Sequence, residues 1–326
     1  MTHAISMQQF GGPEVLQWTA VDDSHPGPLE AQIRQEAVGV NFADVYMRTG
    51  NHPAKLKFPA ILGVEGAGVI EEVGSEVSGF AVGDRVAYFG VLGAYTEARS
   101  VPADKLIKLP PTMSLLVAAA ILVKGITARY LCRQAFPVTS ADVVLIHAAA
   151  GGIGTLLSQW SAALGATVIG TVGSEQKVDF ARANGCHHVI VTAHEKLADR
   201  VSAITKGEKA SVVFDALGGD TSLLSLDCLR PRGTLVIFGR TAGFPHAIVP
   251  FEHLMQKGSL KVTMTQLLDF AGTRTDIDTA VSDLFSAVEA GRLRPAIGQT
   301  YELRDTRQAH RDLEGRKTVG SIVLVV

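Results

Sequence analysis

Val143-Val144-Leu145-Ile146-His147-Ala148-Ala149-Ala150-Gly151-Gly152-Ile153-Gly154 is the stretch whose reading decides the fold. Four apolar residues make a short buried strand, a turn of small residues follows, and a helical pattern runs from Gly152 to Leu164. The spacing Ala149-x-Gly151-x-x-Gly154 matches the dinucleotide-binding fingerprint with Ala in first place. Gly151 lets the backbone approach a pyrophosphate, and Gly154 lets the helix pack closely on the strand. The N–H groups of Gly152, Ile153 and Gly154 open the helix and would face the phosphates. A tight turn with no ligand would share this spacing, so the surrounding pattern has to decide.

That pattern is a regular alternation. Strands are expected at Thr167–Val172, Val189–Val191, Val212–Phe214 and Thr234–Phe238, with Ser259–Thr263 as a possible sixth. Helices are expected between them, at Ser174–Ala183, Glu195–Thr205 and Ser222–Leu229. Such alternation predicts an α/β unit, a doubly wound parallel sheet covered on both faces. Upstream, short segments at Gly66–Val73, Arg85–Phe89 and Ala94–Val101 read as strands of an irregular β-rich domain. Near Ser114 the character changes, and Ser114 can cap a helix from Leu115 to about Gln134. After residue 266 come a helix at Asp276–Ala290, a short helix at Asp305–Leu313 and a strand at Ser321–Val326. This tail cannot form a domain alone and is expected to return to the first. The predicted division is therefore 1–124 with 267–326, and 125–266.

Composition excludes several classes. Of 326 residues, 47% are hydrophobic and 19% charged, which argues against a disordered chain. A net charge of -2 gives no excess to neutralise a nucleic-acid backbone. Cys132, Cys186 and Cys228 are odd in number and far apart, as in a reducing compartment with no disulfide framework. The start Met1-Thr2-His3-Ala4 lacks a signal-peptide pattern, and the apolar run Leu115–Val123 is shorter than a membrane span. A cytoplasmic protein with no membrane partner is expected.

The second strand of the alternating unit ends Gly170-Thr171-Val172-Gly173-Ser174. NAD sites usually place an acid here to bond the ribose hydroxyls. None stands at this strand end, although Glu175 lies just beyond it. Gly173 and Ser174 leave room for a 2′-phosphate, and Lys177 supplies positive charge, so NADPH is expected as cofactor.

Several further motifs carry a family resemblance. Gly11-Gly12-Pro13-Glu14-Val15-Leu16, Gly39-Val40-Asn41-Phe42-Ala43-Asp44, Gly63-Val64-Glu65-Gly66-Ala67-Gly68, His147–Gly154 and Gly320-Ser321-Ile322-Val323-Leu324 resemble the quinone oxidoreductases, the ζ-crystallin-like group of the medium-chain dehydrogenase/reductase superfamily. The resemblance covers essentially the whole chain. It implies a GroES-like catalytic domain (1–124 and 267–326) and a Rossmann NADPH-binding domain (125–266). It also implies a homodimer formed through edge strands of the Rossmann sheets, near Ser259–Thr263.

Zinc-dependent members of the superfamily place a cysteine and a histidine in the motifs at Gly39 and Gly63; here those places hold Asn41 and Val64. Valine cannot ligate zinc and a neutral amide ligates it poorly, so no metal is expected. Cys186-His187-His188 reads as the start of a strand rather than as a ligand cluster. Without a Lewis acid, hydride delivery to an electron-poor quinone or other conjugated carbonyl is favoured over alcohol oxidation.

By the same resemblance Asn41, Asp44 and Tyr46 line the reaction site, with Tyr46 and His52 in the substrate pocket. Asn41 can bond a substrate oxygen or the nicotinamide ribose, Tyr46 can donate its O–H or stack on a flat acceptor, and Asp44 can orient its neighbours. No residue stands out as a general acid. Thr127 and Tyr130 approach the cofactor, and so does the backbone of Phe238-Gly239-Arg240-Thr241, at a strand end. Arg316 and Thr192 fall near the adenosine phosphate. Thr192, His52 and Met264 stand where related enzymes often carry Tyr, a second aromatic residue and Arg. Three functions are therefore open: an NADPH-dependent quinone reductase, a conjugated C=C (enoyl or alkenal) reductase on the same scaffold, and an NADPH-binding protein without catalysis.

Overall fold

The computed structural model describes residues 1–23, 25–53, 55–243 and 251–326. It divides into two compact units, Met1–Val123 with Ile297–Val326, and Lys124–Ala296.

In the second unit six strands form one parallel sheet: Val143–Ile146, Thr167–Val172, His188–Val191, Ala210–Asp215, Leu229–Ile237 and Lys261–Met264. Numbered along the chain, their spatial order is 3-2-1-4-5-6, the doubly wound order of dinucleotide-binding sheets. Val144 pairs with Val168 on one side and Val212 on the other, which makes the fingerprint strand central. Leu145, Ile169, Ile190, Val213, Leu226 and Leu235 build one apolar core of this unit. Strands this short are stable because both faces are buried, which is why they read as continuous apolar runs.

The second predicted boundary moves. Residues 267–296 belong to the parallel-sheet unit, not to the β-rich one. The helix Arg274–Glu289 explains why. Its Leu284 packs so tightly on Gly125 that a Cβ there would sit 2.5 Å from Leu284 Cδ1. Its Asp283 pairs with Arg129 at 2.7 Å. Gln159 then clamps the backbone of Arg294 with its one amide, Nε2 donating to the Arg294 carbonyl and Oε1 accepting from the Arg294 N–H. The chain returns to the first unit only at Ile297.

The first unit holds a seven-stranded sheet and a three-stranded one. In the larger sheet the closing strand, Ser321–Val325, lies between Ile297–Glu302, which runs parallel to it, and Glu30–Val40, which runs antiparallel. Glu30–Val40 also pairs with Glu65–Val73 and Ala98–Pro102. The smaller sheet joins Gln17–Val21, Thr2–Met7 and Ala60–Ile61. Ile5, Met7, Leu16, Ile33, Val38, Leu62, Leu106, Ile322 and Leu324 share its core.

The helix Leu115–Tyr130 starts where Ser114 predicts, with the Ser114 hydroxyl accepting from the Val117 N–H at 3.2 Å. A wider turn at Leu131–Ala135 extends it. By length and composition this combined stretch could cross a membrane, but it is mostly buried inside the protein, as a core helix is.

Candidate functional site

The fingerprint glycines, Gly173, Ser174, Thr192 and the segment Phe238–Thr241 follow the C-terminal ends of strands in the parallel sheet. Ala148 takes the left-handed conformation (φ 52°) directly after the fingerprint strand. Gly151 caps the helix Gly152–Ala163, and the Thr155 N–H returns to the Gly151 carbonyl at 2.8 Å. The N–H groups of Gly152, Ile153 and Gly154 thus fall in the first turn, where a helix offers no internal acceptor. A Cβ on Gly154 would lie 2.3 Å from the Ala148 carbonyl oxygen, so glycine is obligatory for this approach of helix to turn. At Gly173 a Cβ would meet nothing within 4 Å. The end of the second strand is therefore open space beside the Ser174 backbone, and Lys177 follows one turn later at the end of the short helix Glu175–Lys177. Thr192 follows the third strand and donates its hydroxyl to the Val172 carbonyl at 3.3 Å, which ties that strand end to the end of the second strand. Together the glycine cradle and the open strand end fit a dinucleotide with a substituted ribose.

A buried polar cluster supports the same edge, and the sequence reading did not single it out. His147 is fully buried, with Nδ1 3.0 Å from the Thr171 hydroxyl and Nε2 2.9 Å from that of Ser225. Burial holds this imidazole below its usual titration range, against the opposing pull of Asp215. Asp215 accepts from the N–H groups of Leu217 and Gly218 and from the Ser222 hydroxyl. Its carbonyl receives Phe238 N–H at 2.9 Å and Gly239 N–H at 3.3 Å. The segment Phe238–Thr241 is thereby fixed at the strand end, and a Cβ on Gly239 would come within 2.4 Å of the Ala216 carbonyl. Arg240 is half-buried, and the Thr241 hydroxyl donates to the same carbonyl at 3.4 Å.

Thr127 and Tyr130 are buried on the long helix. Tyr130 stacks on Phe270 with centroids 4.4 Å apart, and its hydroxyl meets that of Thr265 at 3.2 Å. Burial pushes this phenol up to about 12. Cys186 is buried against the Ser158 hydroxyl, and His187 Nδ1 accepts from the Val168 N–H. Of the triplet only His188 opens the strand His188–Val191; Cys186 and His187 form the turn that leads into it.

In the first unit, Asn41 is the N-cap of the helix Phe42–Arg48, which carries Asp44 and Tyr46. The Asp44 carboxylate accepts from the Asn41 N–H at 2.8 Å, the reach-back of a capping box. The Asn41 amide nitrogen donates to Glu65 Oε1 at 2.8 Å, and Glu65 Oε2 accepts from the Val123 N–H at 2.9 Å. A Cβ on Gly39 would lie 2.2 Å from Glu65 Oε1, so Gly39 exists to admit this carboxylate. Tyr46 is half-buried, its ring tilted 6.3 Å from that of Phe42, and His52 is half-buried in the loop beyond. Arg316 follows the helix Thr306–Glu314 in a left-handed conformation (φ 55°).

These residues do not suit zinc. The Asn41 amide turns its N–H, not a lone pair, toward Glu65. Val64 packs against the apolar core. Among the described residues no group of three or more His, Cys, Asp or Glu is placed to hold a metal.

Two family models match the chain: an alcohol dehydrogenase GroES-like domain over residues 27–111 and a zinc-binding dehydrogenase over residues 152–286. The chain is 44% identical to a quinone oxidoreductase of Pseudomonas aeruginosa, over all of both chains. It is 43% identical to a 2-haloacrylate reductase of Burkholderia sp, over all of this chain and 99% of that protein. The crystal structure of Escherichia coli quinone oxidoreductase complexed with NADPH superposes with a TM-score of 0.95 at 40% identity, covering both chains completely. Similarity of this extent, with a metal pocket replaced by an amide and a valine, leaves one assignment: the chain belongs to the zinc-free quinone oxidoreductases of the medium-chain dehydrogenase/reductase superfamily.

Proposed function

We propose that the chain is an NADPH-dependent reductase that delivers hydride directly to a quinone. The observation that carries this reading is the end of the second strand. It presents open space at Gly173 where an NAD site would present a carboxylate. The NADPH complex of the Escherichia coli relative supports the same cofactor.

In this reading Gly151, Gly152, Ile153 and Gly154 receive the pyrophosphate with their N–H groups. Gly173, Ser174, Lys177 and Thr192 surround the adenosine phosphate, and Arg316 is assigned to it by the family resemblance alone. Thr127, Tyr130 and the backbone of Phe238, Gly239, Arg240 and Thr241 border the nicotinamide end. The bound cofactor supplies a hydride equivalent; the protein supplies position. Asn41 offers the N–H that Glu65 does not take, Asp44 fixes Asn41, and Tyr46 and His52 shape the acceptor pocket. A quinone accepts hydride readily, and solvent can protonate the product, which agrees with a site that carries no evident acid. The exposed sheet edge at Lys261–Met264 is the surface for a homodimer.

A second reading, reduction of a C=C bond beside a carboxyl or carbonyl, is favoured by the 43% identity to a 2-haloacrylate reductase. Cofactor oxidation decides between them. Chelator-treated protein is given 1,4-benzoquinone or 2-chloroacrylate, with NADPH or NADH. Quinone turnover that prefers NADPH and resists the chelator is expected. Turnover on the acrylate alone would establish the second reading. Tight NADPH binding with no turnover on any conjugated acceptor would leave a binding protein.

A further inference from the structure

A chain of buried polar groups links the helix Thr306–Glu314 to the N-terminal turn of Phe42–Arg48, within the first unit. Arg48, Tyr95, Asp44 and His310 are all essentially excluded from solvent. Arg48 donates through Nη1 and Nη2 to the two Glu314 carboxylate oxygens, each at 2.7 Å, and through Nε to the Gly11 carbonyl at 3.1 Å. Arg48 Nη1 also meets His310 Nδ1 at 3.4 Å. His310 Nε2 lies 3.0 Å from the Tyr95 hydroxyl, which lies 3.0 Å from Asp44 Oδ2.

The direction of every proton in this chain follows from chemistry. A guanidinium can only donate, so His310 Nδ1 must accept. Burial, with the Arg48 charge, lowers the imidazole to about 3, so the ring is neutral and its one proton sits on Nε2. That N–H donates to Tyr95 Oη. Burial and the neighbouring Asp44 hold the phenol protonated, and its O–H donates to Asp44 Oδ2. The same Oδ2 receives the Asn41 N–H. Reversing any member would set two donors, or two acceptors, face to face.

Room for this brace is built into the backbone. Gly63 has φ +89°, and a Cβ there would sit 2.5 Å from Tyr95 Cδ1. Nothing about a simple core requires a tyrosine, a histidine and an arginine at these positions; apolar residues of equal volume would fill the space without the cost of burying polar groups.

We propose that Tyr95 and His310 are positioning residues: a brace of fixed proton order, running from Arg48 to Asp44, sets the location of Asn41 for the reaction. The proposal rests on the reductase reading above. Both residues act through Asp44, and neither need touch substrate or cofactor. A misplacement of Asn41 by a fraction of an ångström lowers the rate of the chemical step and leaves cofactor binding by the parallel-sheet unit intact.

The test compares wild type with Tyr95→Phe, His310→Gln and His310→Leu. For each, kcat with the acceptor that the wild type turns over is measured, along with the NADPH dissociation constant. Tyr95→Phe and His310→Leu are expected to lower kcat about 10- to 100-fold with unchanged NADPH affinity. His310→Gln, whose amide can donate from the place of Nε2, is expected to recover part of the loss. Nitrogen NMR of His310 in the wild type should show the neutral Nε2–H form at pH 7 and still at pH 5. A Nδ1–H or doubly protonated ring, or full activity in Tyr95→Phe, would overturn the brace alone. No turnover by wild type on any conjugated acceptor would overturn the reductase reading, and the proposal with it.

Discussion

At the residue scale, glycines and their neighbours do most to define the cofactor edge. Gly154 is obligatory by a 2.3 Å approach, whereas Gly173 is obligatory for nothing local, since its Cβ would point into open space. Such a glycine at an open strand end keeps room for something other than protein. Lys177, half-buried one turn beyond, is the nearest cation along the chain. Lys177→Ala should raise the Kd for NADPH about tenfold, the worth of one charge-assisted hydrogen bond. The Kd for NADH should change far less, and equal losses for the two cofactors would refute the phosphate role. The residues proposed for this candidate site stand within motifs of recognisable spacing, so the sequence alone is enough to propose most of it. Glu65, Tyr95, His147, Asp215 and His310 were not singled out. The significance of each is the partner it meets, not the residues beside it in the chain. Those partners lie 24 residues away for Glu65 and 215 for Tyr95, which no local pattern reveals.

At the element scale, the parallel strands were the most legible part. Both faces of Val143–Ile146 and Thr167–Val172 are buried, so their boundaries coincide with apolar runs. Glu30–Val40 was missed because it carries buried Gln32 and Gln35 with exposed Arg34 and Glu36, which break the alternation. The helix Phe42–Arg48 is only seven residues long and is announced by its Asn41/Asp44 cap rather than by periodicity. The helix Thr306–Glu314 makes a pH prediction of its own. His310 titrates near 6.5 when unfolded and near 3 when folded. Above 6.5 neither state takes the proton. As pH falls below that value only the unfolded chain does, so stability is lost down to about pH 3. The slope is about 1.4 kcal/mol per pH unit, or about 2 kcal/mol between pH 6.5 and 5. Urea unfolding at pH 7 and pH 5 should show this loss in wild type and a smaller one in His310→Gln. An unchanged difference would mean that the ring is protonated in the folded state.

At the scale of the whole molecule, the parallel sheet ends in two edge strands, His188–Val191 and Lys261–Met264, and the second is the one flanked in sequence by exposed apolar residues. Among the described residues no strand pairs with the outer edge of Lys261–Met264. Phe251, Met255, Met264 and Leu268, close to it in sequence, are all exposed. An open edge flanked by apolar side chains invites a second strand. If two copies pair there, Thr263→Lys with Met264→Lys sets like charges together across the two-fold axis. Sedimentation should then report a dimer for wild type and a monomer for the double variant, with unchanged circular dichroism; an unaltered mass would place the interface elsewhere. The first unit raises a different matter, one of timing. Its sheet is closed by Ser321–Val325, inserted between strands rather than added at an edge. On the ribosome, the parallel-sheet unit is fully synthesised before that strand emerges. The nascent chain therefore carries a finished Rossmann body while residues 1–123 still wait for their closing strand, and a chain cut short before Ser321 would leave that half permanently open.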